Sequence, residues 1–172
     1  MSDEAAVDAA QYETIRMFPD YVRTVLWLDQ PIHYDRTGLS SELVKELEVW
    51  EQSYYDSLTD DIAWKSAGHA HAYTVEGARL AACVAAEAGP RFVVEFDSYE
   101  DGAETVYART KSPALNAAAE ASFIRLQEEW IAEDQRVADL LAESNGSWTA
   151  YAPLSGRTFT PDLRSEHSEE HN

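Results

Sequence analysis

The 172-residue, 19.3 kDa chain is 45% hydrophobic and 11% aromatic, which suits one globular domain with a genuine core and excludes a wholly disordered protein. Its 13 Lys and Arg face 32 Asp and Glu, a formal charge of −19 with a pI near 4.4. Direct binding of nucleic acid is therefore not expected, because that binding rests on Lys and Arg displacing counterions from a phosphate backbone. The single cysteine, Cys83, cannot form an internal disulfide.

In chain order, residues 1–11 read as a flexible acidic, alanine-rich N-terminal segment, without the basic-then-apolar order of a secretory leader, so a cytoplasmic protein is expected. Tyr21 to Leu28 is rich in aromatic and β-branched residues. Alternation there sets Val22, Thr24, Leu26 and Leu28 against Tyr21, Arg23, Val25 and Trp27, which predicts a strand. A loop follows to Gly38. Ser40 is the expected N-cap of the clearest helix, with Leu39 and Val44 placed as a hydrophobic staple. Leu43, Leu47, Trp50, Tyr54 and Leu58 line one face of that helix, while Lys45, Glu48, Glu51 and Gln52 point away.

A second helix is expected from Val75 to about Ala88, capped by Thr74 and stopped by Gly89 and Pro90. Gly77, Leu80, Ala81, Val84 and Ala88 share a face small enough to let its backbone lie close against a sheet. The longest apolar-rich stretch, Leu80 to Gly89, contains Glu87 and is far shorter than the roughly 20 residues a membrane span needs, so no membrane association is expected. Phe92, Val94 and Phe96 alternate with Val93, Glu95 and Asp97 as a strand, paired in an antiparallel hairpin with a strand near Glu104 to Thr110. The last helix should begin at Pro113 or Asn116 and reach Glu143, with Phe123, Leu126, Trp130, Val137 and Leu141 in one row. Ser147 to Leu154 could add a short edge strand. Residues 156–172 read as a flexible polar tail in which His167 and His171 are solvated.

The order strand, helix, helix, strand, strand, helix predicts an α+β fold: a small, mostly antiparallel sheet packed with three main helices, the last one long, in a single domain over residues 12–155.

The chemistry-bearing motifs are few. His69 and His71, read as extended, would project from one side, and Glu76 and His33 could join them as zinc ligands, but neither a His-Glu-x-x-His helix nor a second cysteine is present. A metal-assisted hydrolase using His69, His71 and Glu76 is the enzymatic alternative. Cys83 has alanine and valine neighbours, with no cation to activate it, and reads as a small buried thiol. Glycine-rich phosphate loops and a Gly-x-Ser-x-Gly elbow are absent, and no cofactor is called for. Asp29, Asp35, Asp60 and Asp61 are loop acids that could serve an active site.

Residues 1–60 hold 13 acids and 4 bases, residues 61–114 hold 8 and 5, and residues 115–172 hold 11 and 4. The negative charge therefore concentrates on the first and last helices and the tails, where it would speed encounter with a basic partner. Glu48, Glu51, Tyr55 and Asp56 on the first helix, with Glu128, Glu129, Glu133 and Asp134 on the last, are the expected interaction surface. Tyr54, Trp64, Tyr99 and Trp130 are of the residue types that anchor interfaces, although Trp50, Tyr54 and Trp130 lie on apolar stripes.

Leu26-Trp27, Ser40 with Leu43, Leu47, Trp50 and Tyr54, then Trp64, and Glu76-Gly77 with Leu80-Ala81 through Glu87 and Gly89 to Phe92-Val93-Val94 form a pattern over Val25 to Phe96. In this pattern the chain resembles small acidic proteins of unknown function from actinobacteria and their phages. The resemblance implies no activity or catalytic residue, and suggests action by binding other proteins. The expected function is a non-enzymatic, protein-binding module, as an inhibitor, immunity protein or phage-encoded modulator would be. Its expected partner is a basic protein, and the sharper variant of this expectation is mimicry of DNA charge toward a nucleic-acid-binding protein. A self-associating structural protein, dimerising through the C-terminal helix, is the third alternative.

Overall fold

The computed structural model describes residues 12–20, 22–143, 150–152 and 157–159. The chain divides into two compact units, the first ending at Gln127 and the second beginning at Glu128.

The first unit carries strands β1 (Glu13–Met17), β2 (Leu26–Trp27), β3 (Phe92–Phe96) and β4 (Val106–Ala108), with helices α1 (Tyr34–Thr37), α2 (Ser41–Asp56) and α3 (Ala67–Ala88), and the start of α4 (Ala117–Glu143). The sheet order is β2-β1-β3-β4. β1 runs antiparallel to β2 and parallel to β3, and β3 pairs antiparallel with β4, so the α+β class and the mostly antiparallel sheet stand as expected. In the second unit α4 continues to Glu143, and β5 (Ala150–Ala152) pairs antiparallel with β6 (Arg157–Phe159) in a separate two-stranded ribbon. The strand expected within Ser147 to Leu154 is thus present, paired in this ribbon instead of at the edge of the main sheet. The segment 1–11 and the histidines of the tail lie outside the described residues.

Three sequence expectations need correction. The sheet contains a strand that sequence reading left out, β1, where Ile15 and Met17 are fully buried while Glu13 and Arg16 face solvent. Of the strand expected over Tyr21 to Leu28, only Leu26 and Trp27 pair with β1. Thr24, Val25 and Leu26 are buried consecutively, because the Thr24 hydroxyl donates to the Ile32 carbonyl (2.7 Å) and Val25 N–H donates to the Tyr34 hydroxyl (3.2 Å). These side-chain bonds add to backbone ones there, where the Val25 carbonyl accepts from Phe18 N–H (3.0 Å).

The third correction concerns α3, which starts eight residues before Val75. Ser66 caps it by accepting from His69 N–H (3.3 Å), whereas Thr74 sits inside the helix, its hydroxyl bonded to the Ala70 carbonyl (3.0 Å) and to Ser98 Oγ (2.6 Å). Such back-bonding satisfies a threonine without ending a helix. The expected stop at Gly89 is present, with a φ of +92° that favours glycine.

The core is built on one face of β3. Phe92 and Phe96, two strand steps of two apart, point the same way. Phe92 meets Phe123 of α4 with ring centroids 5.6 Å apart, and Phe96 meets Trp50 of α2 edge-on at 5.5 Å. Gly77 of α3 lies directly under Phe96 and Trp50. Ser40 caps α2 as expected, and Asn116 Oδ1 accepts from Ala118 and Ala119 N–H at the start of α4.

These two caps share one carboxylate. Glu87 of α3 accepts from Ser40 N–H (2.8 Å), Ser40 Oγ (2.5 Å) and Asn116 Nδ2 (2.9 Å). Charge-assisted bonds to a half-buried carboxylate are stronger than neutral ones. Glu87→Ala is expected to cost about 1.5 kcal/mol in urea unfolding, with Glu87→Gln losing less, since an amide oxygen still accepts.

Candidate partner-binding face

Because Leu43, Leu47 and Trp50 turn inward from α2, the residues at helical spacing between them must turn outward. Glu48, Glu51 and Tyr55 lie three and four apart along that outer side. Facing them is the β1–β2 connection, and together they enclose a depression of about 350 Å³ that includes Asp20 and Arg23. Among the described residues the acids Asp20, Glu48 and Glu51 line it together with Arg23. Tyr55 is 40% exposed, as expected from its place off the apolar stripe, and its hydroxyl donates to the Asp20 carbonyl (2.8 Å).

The electrostatics of this depression are unfavourable to its own charges. Burial, and then the charge of Glu48, holds the Glu51 carboxyl above the usual glutamate range. Beneath them Tyr34 is pushed well above the ordinary tyrosine range, mainly by burial, with Glu51 and Glu48 adding to it. A carboxyl raised in the folded state binds a proton more readily there than in the unfolded chain. Its contribution therefore grows as pH falls through the window just above the ordinary glutamate value and is unfavourable at neutral pH. Glu51→Gln is expected to raise the thermal midpoint of the free chain by about 1 °C at pH 7 and to leave it unchanged near pH 4. Scanning calorimetry at the two pH values checks this.

A second cavity of about 530 Å³ adjoins the first, sharing Asp20 and Tyr55 and adding Tyr54, Tyr99 and Ile62. Tyr54 stands at its centre, with ring centroids 5.1 Å from Tyr55 and 5.4 Å from Tyr99. Trp64 Nε1–H donates to the Tyr99 carbonyl (3.1 Å) and holds the loop after β3 in place. Sequence reading missed Asp20. No local signal marks it, since its position depends on β1.

The other expected surface residues fall apart into groups. Asp56 is exposed at the end of α2 and accepts from Gln52 Nε2 (2.9 Å). Glu128, Glu129, Glu133 and Asp134 are exposed on the α4 segment of the second unit, where Glu133 pairs with Arg136 at 2.8 Å. On the same segment Ile131, Val137, Leu140 and Leu141 are exposed, whereas Phe123 and Leu126 are buried in the first unit and Trp130 is half-buried. Asp29, Asp35, Asp60 and Asp61 are exposed, with Asp35 in α1 and the others in loops.

The histidine pair is not one site. His69 and His71 lie in helix α3 and not in an extended segment, so a spacing of two turns them far apart around the axis. His69 Nδ1 lies 2.8 Å from Ser66 Oγ, and His71 Nδ1 lies 3.4 Å from Glu100 Oε1. Glu76 is held bidentately by Arg79, whose bonds keep its carboxyl below the usual range. His33 caps α1. Among the described residues no group of three His, Cys, Asp or Glu is placed to hold a metal ion. Cys83 is half-buried, and a cation does reach it: Arg79, one turn earlier, places Nη1 3.7 Å from its sulfur.

Residues 13–99, more than half of the chain, match the Serratia CdiI immunity protein-like family. The chain belongs to that family. An immunity protein acts by binding a partner protein, a toxin, so an immunity-type, protein-binding function follows from membership. The match spans all of Val25 to Phe96, the stretch that carries the resemblance to small acidic proteins, and extends it to β1 and Tyr99. It covers both cavities and the outer side of α2, and ends before α4. It reports neither an actinobacterial nor a phage source. No curated protein and no solved structure matches the chain. Among the described residues no helix is long and apolar enough to cross a membrane.

Proposed function

We propose that the chain is an immunity-type inhibitor that binds a basic toxin through the acidic side of α2, with Glu48, Glu51, Tyr55 and Asp56 contributed by the helix and Asp20 by the β1–β2 connection. The observation that carries this reading is the crowding of Glu48 and Glu51 in a shared depression within the family-matched region. Carboxylates that repel one another in the free protein are relieved by a cation from outside, so part of the binding free energy is stored in the unbound state. A net charge of −19 adds long-range attraction for a basic surface. Action in the cytoplasm accords with the lone thiol.

Capture with the tagged full chain from its native host, followed by sequencing of the retained protein, tests this reading. The expected partner is a basic protein released by salt, whose toxicity is blocked by co-expression of the chain. A partner that is neutral or acidic, or that is retained undiminished at high salt, would contradict it. DNA mimicry is the narrower form of the reading. There the captured partner binds duplex DNA, and the chain displaces that DNA in competition.

A second reading attaches to the exposed apolar residues Val137 and Leu140 of α4, three apart on one side of the helix, which suit pairing with a second copy of the chain. Light scattering distinguishes it: self-association through this row gives a dimer whose population rises with salt, as acidic faces cease to repel.

A further inference from the structure

The tyrosine-lined cavity is chemically different from the acidic depression beside it. Its walls carry three phenol rings, those of Tyr54, Tyr55 and Tyr99, and one charged residue, Asp20. Among the described residues no Lys, Arg or His lines it. At its lip Ile62, a β-branched residue held at a φ of +62°, leaves its side chain 73% exposed.

Behind the wall lies Tyr73, only 2% exposed, whose hydroxyl is buried with no hydrogen-bond partner among the described residues. Its ring stacks parallel to that of Tyr99 with centroids 6.3 Å apart and lies 5.3 Å from that of Tyr54. Burial raises Tyr73 first, with Tyr99, Tyr54 and Tyr55 adding to it. Tyr99 is raised in turn by burial, by Tyr54 and by the carboxylates of Asp20 and Asp97. Phenol faces beside the carboxylate of Asp20 favour one visitor: a flat cation rich in N–H groups. Arginine fits this description better than lysine. Its guanidinium stacks on aromatic rings and carries five donors in a plane, whereas an ammonium is a compact, strongly hydrated point charge.

We infer that this cavity is the receptor for one arginine side chain of the bound toxin, with the guanidinium over Tyr54 and Tyr99 and directed to Asp20, and the methylenes against Ile62. This inference rests on the proposed inhibitory role and narrows it to a pocket and a side chain. The cation replaces water at the phenol faces, and desolvation makes cation–π attraction stronger than at an open surface.

The test needs no toxin. The isotope-labelled full chain is titrated at 0.15 M salt with N-acetyl-arginine amide, N-acetyl-lysine amide and N-acetyl-norleucine amide, with shifts followed by NMR. The arginine compound is expected to move Asp20, Tyr54, Tyr55 and Tyr99 together, with Asp20→Asn weakening it about fivefold while the spectrum stays folded. The lysine compound is expected to bind more weakly, and norleucine not at all. Tyr99→Leu, which removes a phenol face and keeps an apolar side chain, should weaken arginine binding similarly. Shifts scattered over the acidic surface, equal binding of lysine or norleucine, or indifference to Asp20→Asn would each overturn the assignment. Because no partner protein takes part, any of those outcomes leaves the inhibitory role to be judged by the capture experiment alone.

Discussion

Gly77→Val is expected to lower the thermal midpoint of the chain by about 10 °C, the largest loss of stability of any single substitution considered. A Cβ at position 77 would lie 2.6 Å from Phe96 Cε1 and 2.8 Å from Trp50 Cζ2, well inside van der Waals contact. Neither ring can step aside. Phe96 is fully buried on the central strand β3, and Trp50 is 2% exposed, stacked on Tyr73 at 4.8 Å and bonded through Nε1–H to the Tyr73 carbonyl (3.0 Å). Overpacking of this kind costs about 1–3 kcal/mol for a small intrusion and more for a branched one. Gly77→Ala is the milder case. There a gain of about 1 kcal/mol in helix propensity opposes the clash, and a net loss of about 1–2 kcal/mol is expected. Gly68 in the first turns of the same helix supplies the contrast, since its added Cβ meets only Ser66 Oγ at 3.6 Å. Gly68→Ala should therefore be neutral or stabilising. Denaturant unfolding of the three variants checks the series, and a Gly77→Val protein as stable as the parent would contradict the packing described.

The largest functional effect is expected from reversing the charge of the α2 depression. Glu48→Lys combined with Glu51→Lys places two cations where the proposed basic partner would dock. Like charges facing each other across an interface cost several kcal/mol, so the captured partner should bind at least about 100-fold more weakly. The free chain should remain folded, because Glu48 is exposed and Glu51, already raised by burial and by its neighbour, loses an unfavourable contact. Calorimetric titration of the partner with the parent and the variant measures the change. An affinity within about threefold of the parent would place the interface elsewhere on the molecule.

The elements most legible in the sequence are those whose signals are local. Ser40, the Leu43–Leu47–Trp50 stripe, the Gly89 stop, the β3–β4 hairpin and the long α4 each depend on residues within a turn or two, and all are found. The glycine-sided face of α3 was legible too, since small residues at helical spacing imply close approach, and Gly77 does lie against Phe96.

What the sequence concealed depends on distant partners. β1 is short and half polar, and becomes a central strand only because β2 and β3 flank it. Thr74 has the chemistry of a cap, yet Ser98, 24 residues away, takes its hydroxyl. His69 and His71 suggested a shared ligand set only while that segment was read as extended. The acidic side of α2 was visible as helical spacing. Asp20 and Arg23, which close the depression over Glu48 and Glu51, were not visible, because the turn of the chain that brings them there follows from β1.

The central claim is that the molecule finds its partner by means of its negative exterior. The most direct measurement is the association rate constant of the captured partner with the parent chain, followed by stopped flow from 20 mM to 0.5 M salt. Electrostatic steering predicts a rate that falls by at least about tenfold across that range, with dissociation changing far less. A rate constant that stays level across the same range would contradict it.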